Sequence, residues 1–461
     1  MAWSYSVEEI ATIVGADPPD SDAACTGVST DTRTLQPGDI FFALQGENFD
    51  ANRFLNEAFE KGASAAVISD RSKDASGPCM VVDDTLRALQ RFARHHRRRY
   101  DIPLIAITGS SGKTTSKDLI AAVLETRYAV AKTRGNLNNA IGCPLSLLRL
   151  DSETGAAVIE MGANHPGEIR ELCEIAAPTE AAITLIGASH LEGFGSLEGV
   201  ASAKAEIVES LPDSGVFYVN ADDERCVTIA NAFSGKKVYY GTETDVDNRL
   251  DVALQSCSTE SNGLMCLTID PVGEISVPLY SRAHIVNVLL AISVGLQHGV
   301  TEFEGPLRKA CQESARFNVT TVGGVILLDD TYNANPDSMR AALDALHDHP
   351  APGSRIAALG DMLELGPEAA RFHTELGRLA GESGVSVVFA RGEHACATIA
   401  GAEEAGVAHA TALDDHSEIA KAIHKIVRPG DVVLVKGSRG LAMEHVVRRL
   451  THLLDPQSQG E

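Results

Sequence analysis

Short apolar runs alternate with stretches of helical periodicity along most of the chain. Four of these runs are bounded by polar or glycine-rich segments. They lie at Leu104–Thr108, Ala156–Glu160, Ala181–Ile186 and Val216–Asn220. Such alternation is typical of a parallel sheet whose two faces are covered by helices.

The pattern divides the chain into three α/β domains. Residues 1–100 begin with a helical pattern, Val7–Val14, which Gly15 ends, and a second helix is predicted over Asn52–Ala63. The sequence Asp101-Ile102-Pro103 then marks the boundary to a second domain, residues 101–315. Three further runs near residues 251–279 predict antiparallel strands, and a helix follows at His284–His298. Residues 316–461 again alternate short apolar runs with helical stretches, and they form the third predicted domain.

A run of positive charge closes the first predicted domain. The segment RFARHHRRRY carries five arginines and two histidines between positions 91 and 100, at the end of a helix predicted over Thr85–Tyr100. It can be an anion site or the solvated face of a helix. We favour the solvated face, because charge runs on helices usually face water.

The segment Ile105–Thr115, IAITGSSGKTT, predicts a strand and a phosphate-binding loop that opens a helical pattern over Ser116–Arg127. Small residues let backbone N–H groups surround phosphate oxygens, and Lys113 adds a full positive charge. Thr114 is placed to offer its hydroxyl to Mg²⁺. Ile107 stands where the longer form of this motif has its first glycine, so the pattern is the shortened GxxGKT. The alternative is a Gly/Ser turn with a surface lysine.

Polar residues follow the ends of other predicted strands. Ligands of doubly wound sheets bind outside the carboxyl ends of the strands. Glu160 follows one such end and His190 lies beyond another, so both are expected in the crevice with the phosphate loop. Thr114 and Glu160 supply the oxygen ligands that Mg²⁺ requires. His190 can ligate a second metal or position a phosphate, or it can be an ordinary loop residue.

Several other polar clusters can bind a ligand or simply satisfy a turn. These clusters are Ser29–Arg33, the asparagine-rich loop Arg134–Pro144, the pair His284 and Asn287, the segment Asp329–Pro336, and the segment Lys436–Arg439. For Ser29–Arg33 we favour the turn, and for the others the residues alone leave both possibilities open.

Composition excludes some classes of function. The 461 residues include 39 basic and 63 acidic ones, a net charge of −24, which disfavours general binding to nucleic acid or to membrane surfaces. Nine cysteines occur without CxxC spacing, as expected of reduced thiols in the cytoplasm. We expect no signal peptide and no membrane insertion, because no apolar run approaches the ~20 residues that a spanning helix needs.

Seven segments, in this order, resemble motifs of the Mur ligase family: TGSSGKTT, GNLNNAIGCP, EMGANHPGEI, SHLEGFGS, DDTYNANPDSM, LGDMLELG and VKGSRG. GVSTDTRTLQPGDIFFALQGENFD is similar to the uridine-nucleotide domain of that family. The resemblance spans nearly the whole chain. It implies three domains: a small N-terminal α/β domain, a central P-loop ATPase domain with a mainly parallel sheet, and a C-terminal Rossmann-like domain.

The resemblance also implies an activity. The chain would use ATP and Mg²⁺ to add D-alanyl-D-alanine to UDP-N-acetylmuramoyl-tripeptide through an acyl phosphate, in peptidoglycan synthesis, as a cytoplasmic monomer. The alternatives are another amide ligase of the Mur or folylpolyglutamate-synthase type, a binding module that hydrolyses ATP without ligation, and an inactive scaffold.

Roles for individual residues follow from the same resemblance. ATP would be bound by Gly109, Ser110, Ser111, Gly112, Lys113, Thr114, Thr115, Asn287, Arg316 and Asp330. The substrates would be bound by Ser29, Thr30, Arg33, Asn136, Asn138, Asn139, Asn333, Asn335, Lys436 and Arg439. The catalytic residues would be Lys113, Glu160, His190 and Lys204. Metal ions would be held by Thr114, Glu160, His190 and, if it is carbamylated, Lys204.

Overall fold

A computed structural model gives the fold of most of the chain. It describes residues 3–46, 49–69, 75–242, 250–260, 264–279, 281–313, 316–350 and 352–455. The polar C-terminal tail, residues 456–461, lies outside these residues. Three main sheets follow one another along the chain, and we call the parts of the chain that carry them the first, central and third regions.

The first region is built around a four-stranded parallel sheet with the order β3-β4-β7-β8. The strands of the whole first region are β1 (Tyr5–Ser6), β2 (Ala24–Cys25), β3 (Gly27–Ser29), β4 (Asp39–Phe42), β5 (Gln45–Gly46), β6 (Phe49–Asp50), β7 (Ala65–Ile68) and β8 (Cys79–Val81). Its helices are α1 (Val7–Val14), α2 (Leu55–Glu60) and α3 (Thr85–Arg97), with a 3₁₀ turn at Ala51–Phe54. Helix α1 ends at the left-handed Gly15, as predicted, and begins with a capping box between Ser6 and Glu9.

The central region holds a nine-stranded sheet with the order β10-β11-β9-β12-β13-β14-β15-β16-β17. Its strands are β9 (Leu104–Thr108), β10 (Ala129–Lys132), β11 (Thr154–Glu160), β12 (Glu180–Ile183), β13 (Val216–Asn220), β14 (Lys236–Gly241), β15 (Val252–Thr259), β16 (Met265–Asp270) and β17 (Gly273–Val277). Strands β9 to β15 pair in parallel, and the β15-β16-β17 ladder is antiparallel, as predicted. The antiparallel part extends the same sheet.

Helices cover both faces of the central sheet. They are α4 (Lys113–Leu124), α5 (Gly142–Leu147), α6 (Glu168–Ala176), α7 (Leu191–Phe194), α8 (Leu197–Glu209), α9 (Glu224–Ala232), α10 (Ile285–Gln297) and α11 (Glu304–Glu313), with a 3₁₀ turn at Arg282–His284. Strand β9 is buried along its whole length, which explains why its sequence is apolar throughout rather than alternating.

The third region holds a six-stranded sheet with the order β18-β19-β23-β20-β21-β22, parallel except for β18. Its strands are β18 (Asn318–Val322), β19 (Val325–Asp330), β20 (Arg355–Gly360), β21 (Val387–Arg391), β22 (His409–Ala412) and β23 (Val432–Lys436). Its helices are α12 (Pro336–Asp348), α13 (Ala369–Glu382), α14 (Ala395–Glu404), α15 (His416–Ile426) and α16 (Glu444–Leu454), with 3₁₀ turns at Gly366–Glu368 and Arg439–Leu441. Within the described part of the chain, no helix has both the length and the apolar character needed to cross a membrane.

The first and central regions share one hydrophobic core. Side chains from α1, α3 and strand β4 belong to the same buried cluster as those of α5, α6 and strand β11. Trp3 strengthens this junction, because its indole N–H donates to the carbonyl of Leu148 at 2.8 Å. The two regions are therefore joined by apolar packing rather than by a flexible linker.

The charge run at the end of α3 is only partly solvated, so the prediction of a solvated face is wrong at two positions. His96 and Arg97 are buried. His96 bonds the Tyr5 hydroxyl at 3.0 Å and the Leu150 carbonyl at 2.9 Å. The Arg97 guanidinium donates to the carbonyl of Ala176 at 3.0 Å, at the C-terminal end of α6. These two residues form part of the junction between the first and central regions.

Candidate active site

A cavity of about 1230 Å³ lies where the three regions meet. The phosphate loop and the residues that follow β11, β12 and β13 form its central wall. Leu86 and Gln90 of α3 contribute from the first region, and residues that follow β19 and β23 contribute from the third. The cavity therefore opens at the carboxyl ends of the strands, where ligands of such sheets bind.

The phosphate loop depends on two glycines. Gly109 has φ +150°, and a Cβ there would lie 1.9 Å from Thr184 Oγ1. Gly112 has φ +79°, and a Cβ there would lie 2.7 Å from Asn287 Oδ1. Only glycine fits such close approaches at these backbone angles. Helix α4 begins directly after Gly112, so its free N–H groups face the cavity.

A buried carboxylate stands beside the loop. Glu160 is 2% exposed, at the end of β11. Its Oε2 accepts from the Thr114 hydroxyl at 2.8 Å, and its Oε1 accepts from the Asn138 amide at 2.7 Å. Asn138 belongs to the asparagine-rich loop. The sequence motifs of the phosphate loop, the asparagine loop and β11 thus meet at one carboxylate.

Cationic side chains converge on the same place. Lys113 Nζ donates to the Gly109 carbonyl at 2.7 Å, and burial lowers the pKa of this lysine despite the nearby Glu160. Burial, together with Lys113, lowers the pKa of Lys204 well below its usual value. Arg316, from the third region, donates to the Thr114 hydroxyl at 2.5 Å. The desolvation of Lys113 and Lys204 favours an anionic ligand in this cavity.

The third region contributes a second polar wall. Lys436 Nζ lies 2.6 Å from Asp330 Oδ2 and donates to the Asn333 carbonyl at 2.9 Å. Burial raises the pKa of Asp330 even though Lys436 opposes the shift. Asn335 caps α12 with its side-chain oxygen, and its amide donates to the Ser110 carbonyl at 3.1 Å. This wall therefore touches the phosphate loop directly.

The structure brings most of the predicted site residues together. Those that line the cavity are Ser110, Ser111, Gly112, Lys113, Thr114, Thr115, Asn136, Asn138, Asn139, Glu160, His190, Lys204, Asn287, Arg316, Asp330, Asn333, Asn335 and Lys436. Gly109 supplies the carbonyl that Lys113 bonds.

Four predicted substrate residues lie outside the lining of the cavity: Ser29, Thr30, Arg33 and Arg439. Ser29 bonds the backbone of Asp31, and Arg33 pairs with the Asp31 carboxylate at 2.6 Å on the surface. The turn that the residues alone allowed is therefore present, and the uridine-binding role stays a prediction. Arg439 pairs with Glu444 at 3.1 Å.

Sequence reasoning missed three residues of the site. Thr184, directly after β12, donates to the Ser111 carbonyl at 2.5 Å. The ring of Tyr332 lies 3.2 Å from the Arg316 guanidinium carbon. Glu364 contacts the His190 ring. A signal exists in the sequence for all three, since Thr184 lies inside the predicted strand Ala181–Ile186, Tyr332 belongs to the motif DDTYNANPDSM and Glu364 to the motif LGDMLELG.

The oxygen donors of the cavity suit Mg²⁺. Thr114 and Glu160 present a hydroxyl and a carboxylate side by side, and His190 adds a ring nitrogen to the lining. Within the described residues, no group of three or more His, Cys, Asp or Glu side chains is arranged to hold a metal by itself. Such a sparse donor set fits an ion whose remaining ligands are phosphate oxygens and water.

Three family models match consecutive parts of the chain. They are the Mur ligase family catalytic domain over residues 24–97, the Mur ligase middle domain over 107–295, and the Mur ligase glutamate ligase domain over 315–439.

Individual relatives are similar over almost the full length. The UDP-N-acetylmuramoyl-tripeptide–D-alanyl-D-alanine ligase of Escherichia coli (strain K12) is 37% identical over 454 residues, 97% of this chain and 98% of that one. A crystal structure of MurF from Acinetobacter baumannii gives a TM-score of 0.88 at 30% identity, covering 98% of this chain and 99% of the other. The MurF ligase of Thermotoga maritima in complex with ADP gives 0.82 at 28% identity, covering 94% and 98%.

Proposed function

The chain belongs to the Mur ligase family, and we propose that it uses ATP to join D-alanyl-D-alanine to UDP-N-acetylmuramoyl-tripeptide. The products are UDP-N-acetylmuramoyl-pentapeptide, ADP and phosphate. One observation carries the proposal: a phosphate loop, the buried Glu160 and several desolvated cations share a cavity with residues of the first and third regions. The fold is the predicted one, with a small N-terminal α/β part, a central P-loop part and a C-terminal Rossmann-like part.

The reaction proceeds in two steps. An oxygen of the tripeptide's terminal carboxylate attacks the γ-phosphorus of ATP, and the bond to the β-phosphate oxygen breaks, which releases ADP. The free amine of D-alanyl-D-alanine then attacks the acyl phosphate carbon and loses a proton. Inorganic phosphate leaves with the carboxylate oxygen. No covalent bond to the protein is needed, so the protein's task is to align the reactants and stabilise charge.

Each cation has a place in that task. Lys113, between the phosphate loop and Glu160, would neutralise the transferring phosphoryl group. Arg316 would approach the same group from the third region, with its orientation fixed by Tyr332. The loop N–H groups at the start of α4 would hold the remaining phosphate oxygens.

Thr114 and Glu160 would hold Mg²⁺, His190 would hold a second ion, and Lys204 would join them if it is carbamylated. When bound, the metal withdraws charge from the phosphate oxygens. Lys204 fits this role, because its nearly complete burial beside Lys113 disfavours an ammonium there. If Lys204→Ala leaves turnover unchanged at limiting Mg²⁺, the carbamate role is wrong.

The remaining assignments are part of the same proposal. Asn287 would contact adenine and Asp330 the ribose. Asn333, Asn335 and Lys436 would seat D-alanyl-D-alanine. All nine cysteines are free thiols, which supports a reducing, cytoplasmic location. The domain limits 1–100, 101–315 and 316–461 and the monomeric state stay predictions.

Mass spectrometry of the reaction products tests the proposal. The purified protein is incubated with ATP, Mg²⁺, D-alanyl-D-alanine and UDP-N-acetylmuramoyl-tripeptide carrying either lysine or diaminopimelate. We expect a muramoyl product heavier by one D-alanyl-D-alanine residue, with one phosphate released per product.

Parallel reactions separate the alternatives. Diaminopimelate or glutamate replaces D-alanyl-D-alanine as the amine acceptor. A product formed only with one of those amines would assign the chain to another kind of amide ligase. Phosphate release without any gain in substrate mass would indicate a module that only hydrolyses ATP.

A further inference from the structure

A glutamate of the third region closes over the predicted metal ligand His190. Glu364 lies in the loop that follows β20, and its carboxylate contacts Nδ1 of His190. The pairing spans 174 residues of sequence and joins the third region to the central one. It is therefore a tertiary contact that docking of the two regions creates.

Backbone contacts hold the two residues in place. The Glu192 N–H donates to the Glu364 carbonyl at 3.2 Å. A Cβ added at Gly366 would lie 3.8 Å from Glu192 Cα, so the segment that carries Glu364 also packs against α7. His190 and Glu364 both have positive φ, +51° and +62°. Such angles are costly for residues with side chains and persist where the surroundings impose them.

The contact also fixes the ring of His190. Because the carboxylate accepts from Nδ1–H, Nε2 is the ring nitrogen left for the cavity that His190 lines. Metal-ligating histidines commonly use one nitrogen for the metal and donate the other to a carboxylate, which sets the tautomer and orientation of the ring.

We infer that Glu364 is a positioning residue that orients His190 toward the metal-bound nucleotide only when the third region is docked. The inference rests on the proposed role of His190. It makes completion of the nucleotide site depend on a residue from another region, so nucleotide binding and docking of the third region strengthen each other.

Binding of a non-hydrolysable ATP analogue, measured by calorimetry with Mg²⁺ and with EDTA, tests the inference. Glu364→Ala should weaken the affinity about 10-fold when Mg²⁺ is present and leave it unchanged in EDTA. Glu364→Gln keeps an oxygen that can accept from Nδ1–H and should restore binding. Glu368→Ala is the matched control, because Glu368 lies in the same loop and pairs with Arg371. Thermal unfolding verifies that each variant is folded.

A double-mutant cycle tests whether Glu364 affects nucleotide affinity through His190. In a His190→Ala background, Glu364→Ala should cause no further loss of affinity. The inference is overturned if Glu364→Ala binds the Mg²⁺ analogue like the parent, if the loss is equal in EDTA, or if the loss persists without His190. These measurements use no peptide substrate, so their failure is distinct from a failure of the proposed ligation.

Discussion

Single residues of the site carry charge that has been removed from water. Burial lowers the pKa of both Lys113 and Lys204, and Glu160 is the acidic side chain that opposes the shift at Lys113. Such groups destabilise the free protein and are satisfied by an anionic ligand. Residues of this kind are kept for function rather than for folding.

Replacement of Lys113 separates its contribution to function from its contribution to folding. Lys113→Ala should lower the rate of product formation by about 100- to 1000-fold, the effect of removing one preorganised charge-stabilising donor. The unfolding temperature should stay the same or rise, because a desolvated ammonium is removed. The control is Lys421→Ala, an exposed lysine on α15. A large loss of stability in Lys113→Ala without a matching loss of rate would contradict this view.

Two histidines with strongly lowered pKa values, the buried His96 and the half-buried His284, make stability depend on pH. Burial lowers the pKa of His96 and of His284 to about 4. Between that value and about 6.5, the unfolded chain binds protons that the folded chain does not. The free energy of unfolding should therefore fall as pH drops from 6.5 to 5, with a limiting slope of about 1.4 kcal/mol per pH unit for each histidine.

Urea denaturation at several pH values measures this slope. His96→Gln should unfold more easily at pH 7 but show a shallower decline toward pH 5, because one of the two groups no longer titrates. An unchanged slope would show that His96 is already solvated or protonated in the folded state.

At the scale of elements, the phosphate loop is positioned by what surrounds it. Strand β9 precedes the loop, and α4 begins directly after Gly112. Asn287 of α10 occupies the space that a side chain at position 112 would need. The Asn287 side chain also accepts from the Ser116 hydroxyl at 3.0 Å, which ties α10 to α4. The loop thus has little room to change shape.

Gly112→Ala should therefore damage the site more than the fold. The new Cβ would meet Asn287 Oδ1 at 2.7 Å at a backbone angle that disfavours alanine. We expect turnover to fall on the order of 100-fold, the scale of a small misplacement of reacting groups. Gly273→Ala is the control, because Gly273 also has positive φ but nothing lies near its would-be Cβ. Equal activity in the two variants would contradict the account of the loop.

The elements themselves were predictable to different degrees. Strands Leu104–Thr108 and Val216–Asn220 match their predictions to the residue, because fully buried strands give continuous apolar runs. Helix α4 begins at Lys113 rather than at the predicted Ser116, since a glycine in the left-handed conformation starts it and no apolar residue signals that. The helix predicted over Asn52–Ala63 is divided into a 3₁₀ turn and the shorter α2.

The burial of charged residues between the first and central regions was the part of the fold that the sequence did not predict. The phosphate loop, Glu160 and the asparagine loop carry local motifs, and they do line one cavity. Apart from the Tyr5 hydroxyl, the partners of the buried His96 and Arg97 are backbone carbonyls, such as those of Leu150 and Ala176, which any sequence would supply. Because a backbone carbonyl is present at every residue, the sequence does not reveal these hydrogen-bond partners.

At the scale of the whole molecule, the two junctions differ in kind. The first and central regions share a hydrophobic core. The central and third regions meet at the cavity through polar contacts, among them Arg316 with Thr114 and Asn335 with Ser110. Motion during a reaction cycle is therefore expected at the second junction, because polar contacts are remade more easily than a core.

Substitution of Arg97 tests the junction between the first and central regions. Its guanidinium donates to carbonyls of Ala176 and Ile102, so Arg97→Ala leaves buried acceptors unsatisfied. We expect a loss of about 2–4 kcal/mol in the free energy of unfolding, measured by denaturant titration. Arg94→Ala, an exposed arginine on the same helix, should change it by less than about 0.5 kcal/mol. Equal losses of unfolding free energy in the two variants would show that Arg97 is solvated, as Arg94 is.

The central claim is that ATP activates the tripeptide's carboxylate within this cavity. Labelling that carboxylate with ¹⁸O and analysing the released phosphate by mass spectrometry tests it directly. An acyl phosphate transfers one labelled oxygen, so each phosphate formed with a pentapeptide should carry one ¹⁸O. Phosphate without label, released while the pentapeptide accumulates, would contradict the account.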